Sequence, residues 1–279
     1  MSDEPPYEVI TGSAEAGILF ICDHASNRIP RRLAGLGIDP AALTQHVAWD
    51  IGAGALTRAL AAHLAAPAVL STASRLVIDC NRAPGHATSI PADSHGVAIP
   101  GNAGLGPVER LQREADWFRP YHDRIEQELR VLEVAGRLPL LVSIHSFTPV
   151  LSGPPRPWHV GVLSDRDRGT ADEFLGLLRA LPGMVIGDNE PYSGKHPEGY
   201  SCQTHGDGQR RRNVLFEVRQ DLLGSEAEIQ TWAGRLAAVL RDGVQHFAAA
   251  RAPAYNAATA PRVGQAGAST MDRSEEHTS

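Results

Sequence analysis

Cysteine is scarce in this chain of 279 residues. Cys22, Cys80 and Cys202 stand far apart with no CxxC pair among them. An odd number of thiols in a chain with no visible export signal points to reduced cysteines and not to a disulfide framework. Long apolar runs are missing as well. No stretch approaches the ~18 uninterrupted apolar residues of a membrane span. The first residues, Met1 to Tyr7, are acidic and proline-bearing where a secretory leader would be basic and then apolar. The expectation is a cytoplasmic protein without a membrane partner. Positive charge is also short: 26 Lys+Arg against 32 Asp+Glu leave a net charge of −6, which provides no electrostatic footprint for nucleic acid. The one basic run, Arg210-Arg211-Arg212, is too short to count as a tract. There is no Gly-x-x-x-x-Gly-Lys phosphate loop, no Gly-x-Ser-x-Gly elbow and no dinucleotide fingerprint after the first strand. Nucleotide-driven chemistry and serine hydrolysis therefore lose their usual supports.

What is present is a hydrophobic fraction of 42%, ample for a large buried core. Residues 17–22, Gly-Ile-Leu-Phe-Ile-Cys, form a short apolar run bounded by glycine and polar residues, which predicts a buried strand. Further strands are predicted at 68–71, 76–79, 140–144, 159–163, 184–186 and 213–218. Asp39-Pro40 supplies an N-cap and a first-turn proline for one helical segment. Ile51, Ala55, Leu56, Ala59, Leu60 and Leu64 recur at helical spacing, residues 171–181 and 226–247 read as helices, and a long amphipathic helix is predicted from Pro107 to Gly136. Apolar strands separated by helices predict an α/β fold, a single three-layer domain over residues 1–250 built on a mainly parallel or mixed sheet. Residues 251–279 have the Ala-, Gly-, Pro- and Thr-rich composition of a disordered tail. Its last seven letters, 273–279, resemble the in-frame translation of a sequencing-library adapter, so His277 is kept out of any metal-site count.

In open α/β sheets the ligand crevice lies beyond the carboxyl ends of the strands. Three apolar runs end in chemistry-bearing residues there: Asp23-His24-Ala25-Ser26-Asn27, His145-Ser146-Phe147, and Glu217 near the end of residues 213–218. A lone histidine in such a place is usually structural. Two histidines and a carboxylate converging on one edge are the raw material of a mononuclear zinc site with an open position for water. A third protein ligand is needed. Asp50, at the start of an apolar helix, is the first candidate, although aspartate there also reads as an N-cap. Asn27, three residues after His24, is the rival, but a neutral amide is a poor zinc ligand. His46, His63, His86, His95 and His122 stand outside the strand-end pattern and read as structural.

The segments Asp23-His24-Ala25-Ser26-Asn27-Arg28-Ile29-Pro30, Trp49-Asp50-Ile51-Gly52, Ile78-Asp79-Cys80-Asn81-Arg82, Ser143-Ile144-His145-Ser146-Phe147 and Glu217-Val218-Arg219-Gln220-Asp221-Leu222 occur in the order seen in the N-formylglutamate amidohydrolases. By these motifs the chain resembles that family over residues 18–223. The resemblance implies a zinc-dependent hydrolase of phosphorylase/hydrolase-like α/β fold, similar in layout to zinc carboxypeptidases and zinc cell-wall amidases. It also implies His24, Asp50 and His145 as ligands of Zn2+, Glu217 as the catalytic carboxylate, and release of formate from N-formyl-L-glutamate or a related N-acyl acidic amino acid.

A diacid substrate calls for arginine, whose planar guanidinium binds carboxylates in two-pronged fashion. Arg75, Arg82 and Arg219 lie on or just after predicted strands near one sheet edge, and Arg82 follows Asn81 in a motif typical of the family. Ser146 follows His145. Residues 188–206 are long, polar and glycine-bearing, as a covering loop would be, and put Tyr192, Lys195 and His205 forward as further substrate contacts.

Overall fold

The run Ile18–Cys22 is buried along its whole length in the computed structural model, which describes residues 5–195 and 199–249. A strand of that kind needs cover on both faces. Among the described residues the strands are β1 (Tyr7–Ile10), β2 (Ile18–Cys22), β3 (Ala68–Ser71), the short hairpin β4 (Asp93–Ser94) and β5 (Val97–Ala98), then β6 (Leu140–Phe147), β7 (Val160–Leu163), β8 (Ile186–Asp188) and β9 (Arg212–Arg219). Seven of them form one mixed sheet in the order β1-β3-β2-β6-β9-β7-β8. Its centre, β3, β2, β6 and β9, is parallel. β1 pairs antiparallel with β3, and β7 antiparallel with β9.

Among the described residues the α-helices are α1 (Ala53–Leu64), α2 (Pro107–Arg113), α3 (Arg119–Val134), α4 (Arg168–Arg179) and α5 (Glu226–Ala249). Alternation along β2 shows how they divide. Ile18, Phe20 and Cys22 join a core with Leu56 and Leu60 of α1, Phe174 of α4 and Leu236 of α5. Leu19 and Ile21 point the other way, into a core with Tyr121, Ile125 and Leu129 of α3. This is the three-layer α/β arrangement expected from the apolar runs.

Several elements differ from the sequence reading. Residues 76–79 are not a strand: Leu76, Val77 and Ile78 are buried against Trp117 and Phe118. Their carbonyls are taken by side chains, Asn102 Nδ2 donating to Leu76 O (2.8 Å) and Arg113 Nη1 to Val77 O (2.9 Å). The short strand read at 184–186 sits at Ile186–Asp188. The edge strand β1 was not foreseen. The helical path from Pro107 is interrupted by a π-type turn at Glu114–Phe118, just before Pro120, whose missing N–H cannot join a regular ladder. It stops where Gly136 adopts φ 76°, the left-handed end glycine tolerates. No described helix is long and apolar enough to cross a membrane. The predicted tail 251–279, with its adapter-like end, lies outside the described residues.

Candidate metal centre and active site

The carboxyl ends of β2, β6 and β9 meet at one edge. The chain leaves β2 with Asp23 and His24, and the parallel register sets His145 of β6 beside Glu217 of β9. Asp50 arrives from the turn before α1, its N–H donating to His24 O (3.0 Å). The N-cap position of α1 is taken by Gly52, and the Asp50 carboxylate turns into the site instead. Asn27 lies elsewhere, its amide donating to Leu43 O (2.8 Å). The loop after β3 brings Arg75, Asp79, Asn81 and Arg82 to the same edge.

Hydrogen bonding fixes which ring atoms are available. Arg75 can only donate, and its Nη2 reaches His24 Nδ1 (2.7 Å), so that nitrogen is the acceptor. His24 Nε2 then carries the proton and donates to Asp79 Oδ1 (2.7 Å). His145 donates through Nε2 to Asp23 Oδ2 (3.0 Å) and through Nδ1 to Asp50 Oδ2 (2.8 Å). Asp23 in turn accepts from Tyr121 Oη (3.0 Å) and Ser201 Oγ (2.6 Å). Each histidine thus has an aspartate behind its Nε2, the arrangement that orients imidazoles for a metal, and offers its Nδ1 toward Asp50.

The electrostatics follow. Burial opposes ionisation of Asp50, yet Arg75, His24 and His145 hold its carboxyl well below the usual range. Asp23, equally buried, is lowered to about 2 by His145 and His24. Against its own burial His145 is raised to about 10 by Asp23 and Asp50. Glu217 goes the other way: burial pushes its carboxyl up to about 7, and its Oε2 has no hydrogen-bond partner.

One ligand atom from each of His24, Asp50 and His145 lies within 4.8 Å of the others, so these three could hold a metal ion. Two neutral imidazoles and a carboxylate are a zinc-compatible donor set. The Arg75 guanidinium, in contact with both Asp50 and His24, shows that the cluster already draws a cation. The residues therefore fit the ion the sequence implied.

These groups open into a cavity of about 240 Å³ that is also lined by Arg75, Asn81, Arg82, Ser146 and Tyr192. Asn81 Oδ1 accepts from Tyr200 N (2.7 Å) and Ser201 N (3.0 Å), so it holds the covering loop. Three other expected contacts are not among the described residues lining the cavity. Arg219 pairs with Asp221 (2.8 Å), Lys195 is exposed, and His205 sits behind the site with its Nε2 2.9 Å from His122 Nδ1. His46 and His95, read from the sequence as structural, do line the cavity, with ring centroids 5.3 Å apart. Asp23 and Asp79 were missed as orienting groups, although each belongs to a segment that stood out: one precedes His24, the other precedes Cys80-Asn81.

Comparison with known proteins bears on the same segments. The family model for N-formylglutamate amidohydrolase matches residues 16–223. A solved gene product of Agrobacterium tumefaciens is 33% identical, with a TM-score of 0.84 covering 88% of this chain and 96% of that one. An N-formylglutamate amidohydrolase from Ralstonia eutropha JMP134 is 20% identical and shares the fold, with a TM-score of 0.64 covering 86% of this chain and 97% of that one. A search of curated proteins finds no match.

Proposed function

The chain belongs to the N-formylglutamate amidohydrolase family, and we propose that it hydrolyses the formyl amide of an N-formyl amino acid with zinc held by His24, Asp50 and His145. N-formyl-L-glutamate is the substrate the sequence reading names, with formate and the free amino acid as products. The observation that carries the proposal is a buried His–Asp–His cluster beside the Glu217 carboxyl, whose Oε2 has no hydrogen-bond partner.

When bound, zinc supplies Lewis-acid polarisation of the amide carbonyl and acidifies a water. The chain supplies the rest. Glu217, poised near neutrality by burial, takes a proton from the attacking water and delivers it to the leaving nitrogen. Asp79 and Asp23 keep His24 and His145 turned so that each Nδ1 faces Asp50. Arg82, at the rim with Asn81, receives the α-carboxylate, and Ser146 and Tyr192 complete the wall.

The test is a zinc titration of metal-depleted protein, reading release of formate and free amine from N-formyl-L-glutamate and N-formyl-L-alanine. Activity should saturate at one zinc per chain. Full turnover by metal-free protein would sink the zinc assignment.

A further inference from the structure

Arg219, at the end of β9, is not among the described residues lining the cavity, yet it steadies one that reaches Tyr192, which is. Its Nη1 donates to the carbonyls of Arg156 (3.3 Å) and Pro157 (3.4 Å). The Arg156 N–H donates to Pro149 O (2.8 Å), so the Arg156 backbone is pinned on both sides within the link from β6 to β7. Its side chain is pinned as well. Nη1 donates to Thr148 O (3.3 Å) and to the Tyr192 phenol oxygen (3.1 Å). The guanidinium lies 4.9 Å from the centre of the Tyr192 ring and 5.9 Å from that of Phe147. These contacts are two oxygens and two aromatic rings, with no carboxylate among them. Phe147 ends β6, two residues after His145. Arg156 therefore joins the strand that carries a candidate metal ligand to the segment that carries Tyr192.

Donor counting gives the phenol its part. A guanidinium can only donate, so the Tyr192 oxygen accepts from Arg156 and keeps its own hydrogen to give. That is the one hydrogen bond the phenol makes among the described residues. Tyr192 lines the same cavity as Glu217, Asp50 and His145, whereas Arg156 is not among the described residues lining it. Burial, Glu217 and Asp50 push the phenol's pKa up against the pull of Arg156, so the phenol keeps its proton through the neutral range.

We infer that Arg156 is a positioning residue for the proposed reaction: it holds the Tyr192 phenol with its O–H turned into the cavity, where it donates a hydrogen bond to an oxygen of the bound N-formyl amino acid. The inference rests on the formyl-hydrolase reading above. Tyr192 is 39% exposed, and without the guanidinium its ring could swing toward solvent and its oxygen could accept as readily as donate. Arg156 removes both freedoms before the substrate arrives, which lowers the ordering cost of binding.

The experiment uses the zinc-loaded full-length protein with Tyr192→Phe, Arg156→Met, Arg156→Lys and the double variant of Arg156→Met with Tyr192→Phe. For N-formyl-L-glutamate and N-formyl-L-alanine, each of the first two changes should lower kcat/KM by about ten-fold. The double variant should be no worse than either alone, because two parts of one device do not add. Arg156→Lys, which keeps a donor for the phenol oxygen, should recover part of the loss. Ionisation of Tyr192, read by carbon NMR of protein labelled at the tyrosine Cζ and assigned with Tyr192→Phe, is a signal that a merely structural role would not move. Arg156→Met should make this phenol about ten-fold weaker as an acid. Should Arg156→Met fail to fold, Arg156→Gln takes its place with the same expected weakening, since it too lacks the charge. Losses that multiply in the double variant would give Arg156 a role of its own and overturn the inference. An unchanged phenol acidity, or wild-type kinetics in Tyr192→Phe, would overturn it too. If the wild type turns over neither compound, the hydrolase reading fails and takes this inference with it. Turnover with any of those three results removes this inference alone.

Discussion

Burial that raises the Glu217 carboxyl to about 7, in a cluster where Asp50 stays ionised, separates what two neighbouring acids can do: one can carry a proton and the other can hold a cation. Glu217→Gln keeps the shape and removes the proton carrier. It should leave zinc stoichiometry intact and lower kcat on the order of 10²–10⁴-fold, read from metal analysis and steady-state kinetics on one preparation. The same variant reports on stability. The folded value lies above the ordinary 4.5, so the folded state holds more protons, and stability falls as pH rises from that value to about 7. Metal-free Glu217→Gln should therefore melt increasingly above wild type across that window, with a constant gap beyond it. The place of Glu217 at this edge was legible because an acid at the end of an apolar strand has few structural excuses. Asp79 and Asp23 were not, because their histidine partners stand 55 and 122 positions away.

At the scale of elements, apolar runs predicted strands wherever the sheet supplied a neighbour, and failed where it did not. Residues 76–79 have the composition of a strand, but Asn102 and Arg113 occupy the carbonyls a neighbouring strand would use. β1 has the opposite history: short, half-buried and carrying Glu8, it becomes a strand only because the edge of β3 is free to pair. Close approach between elements is equally invisible in sequence. Gly161 of β7 lies where an added Cβ would come within 1.9 Å of Glu190 O and 3.4 Å of Glu217 Cβ. Gly161→Ala should therefore destabilise the fold by about 1–3 kcal/mol through overpacking and disturb the segment beside the Glu217 carboxyl. Denaturant midpoints and KM read the two effects separately.

Across the whole molecule, the candidate ligands come from three separate segments, the residues just after β2, the turn before α1 and the carboxyl end of β6, so an ion they share ties those segments together. The fold class was readable because alternating apolar runs leave few ways to cover a sheet on both faces; the meeting of His24, His145 and Glu217 was readable from the strand ends, whereas the place of Asp50 beside them leaned on the family motifs, since spacing alone does not place residue 50 against residue 145. A ligand bound to the folded state alone stabilises it by mass action, about 2.7 kcal/mol at a hundred-fold excess over Kd. Zinc should thus raise the melting temperature in a concentration-dependent way, and chelation should reverse the shift. Protonation adds a sharper check. With its folded value raised to about 10 from 6.5, His145 is protonated at neutral pH in the metal-free protein, and its contribution to stability, complete below 6.5, is lost as pH rises through about 10. A metal ligand has to be unprotonated. Zinc binding at pH 7.5 should therefore release roughly one proton per ion from His145, measured as the dependence of calorimetric enthalpy on buffer ionisation heat. Saturating zinc should also flatten the alkaline fall in stability. Zinc uptake with no proton release, or with His145→Ala binding as tightly as wild type, would place the ion away from His145.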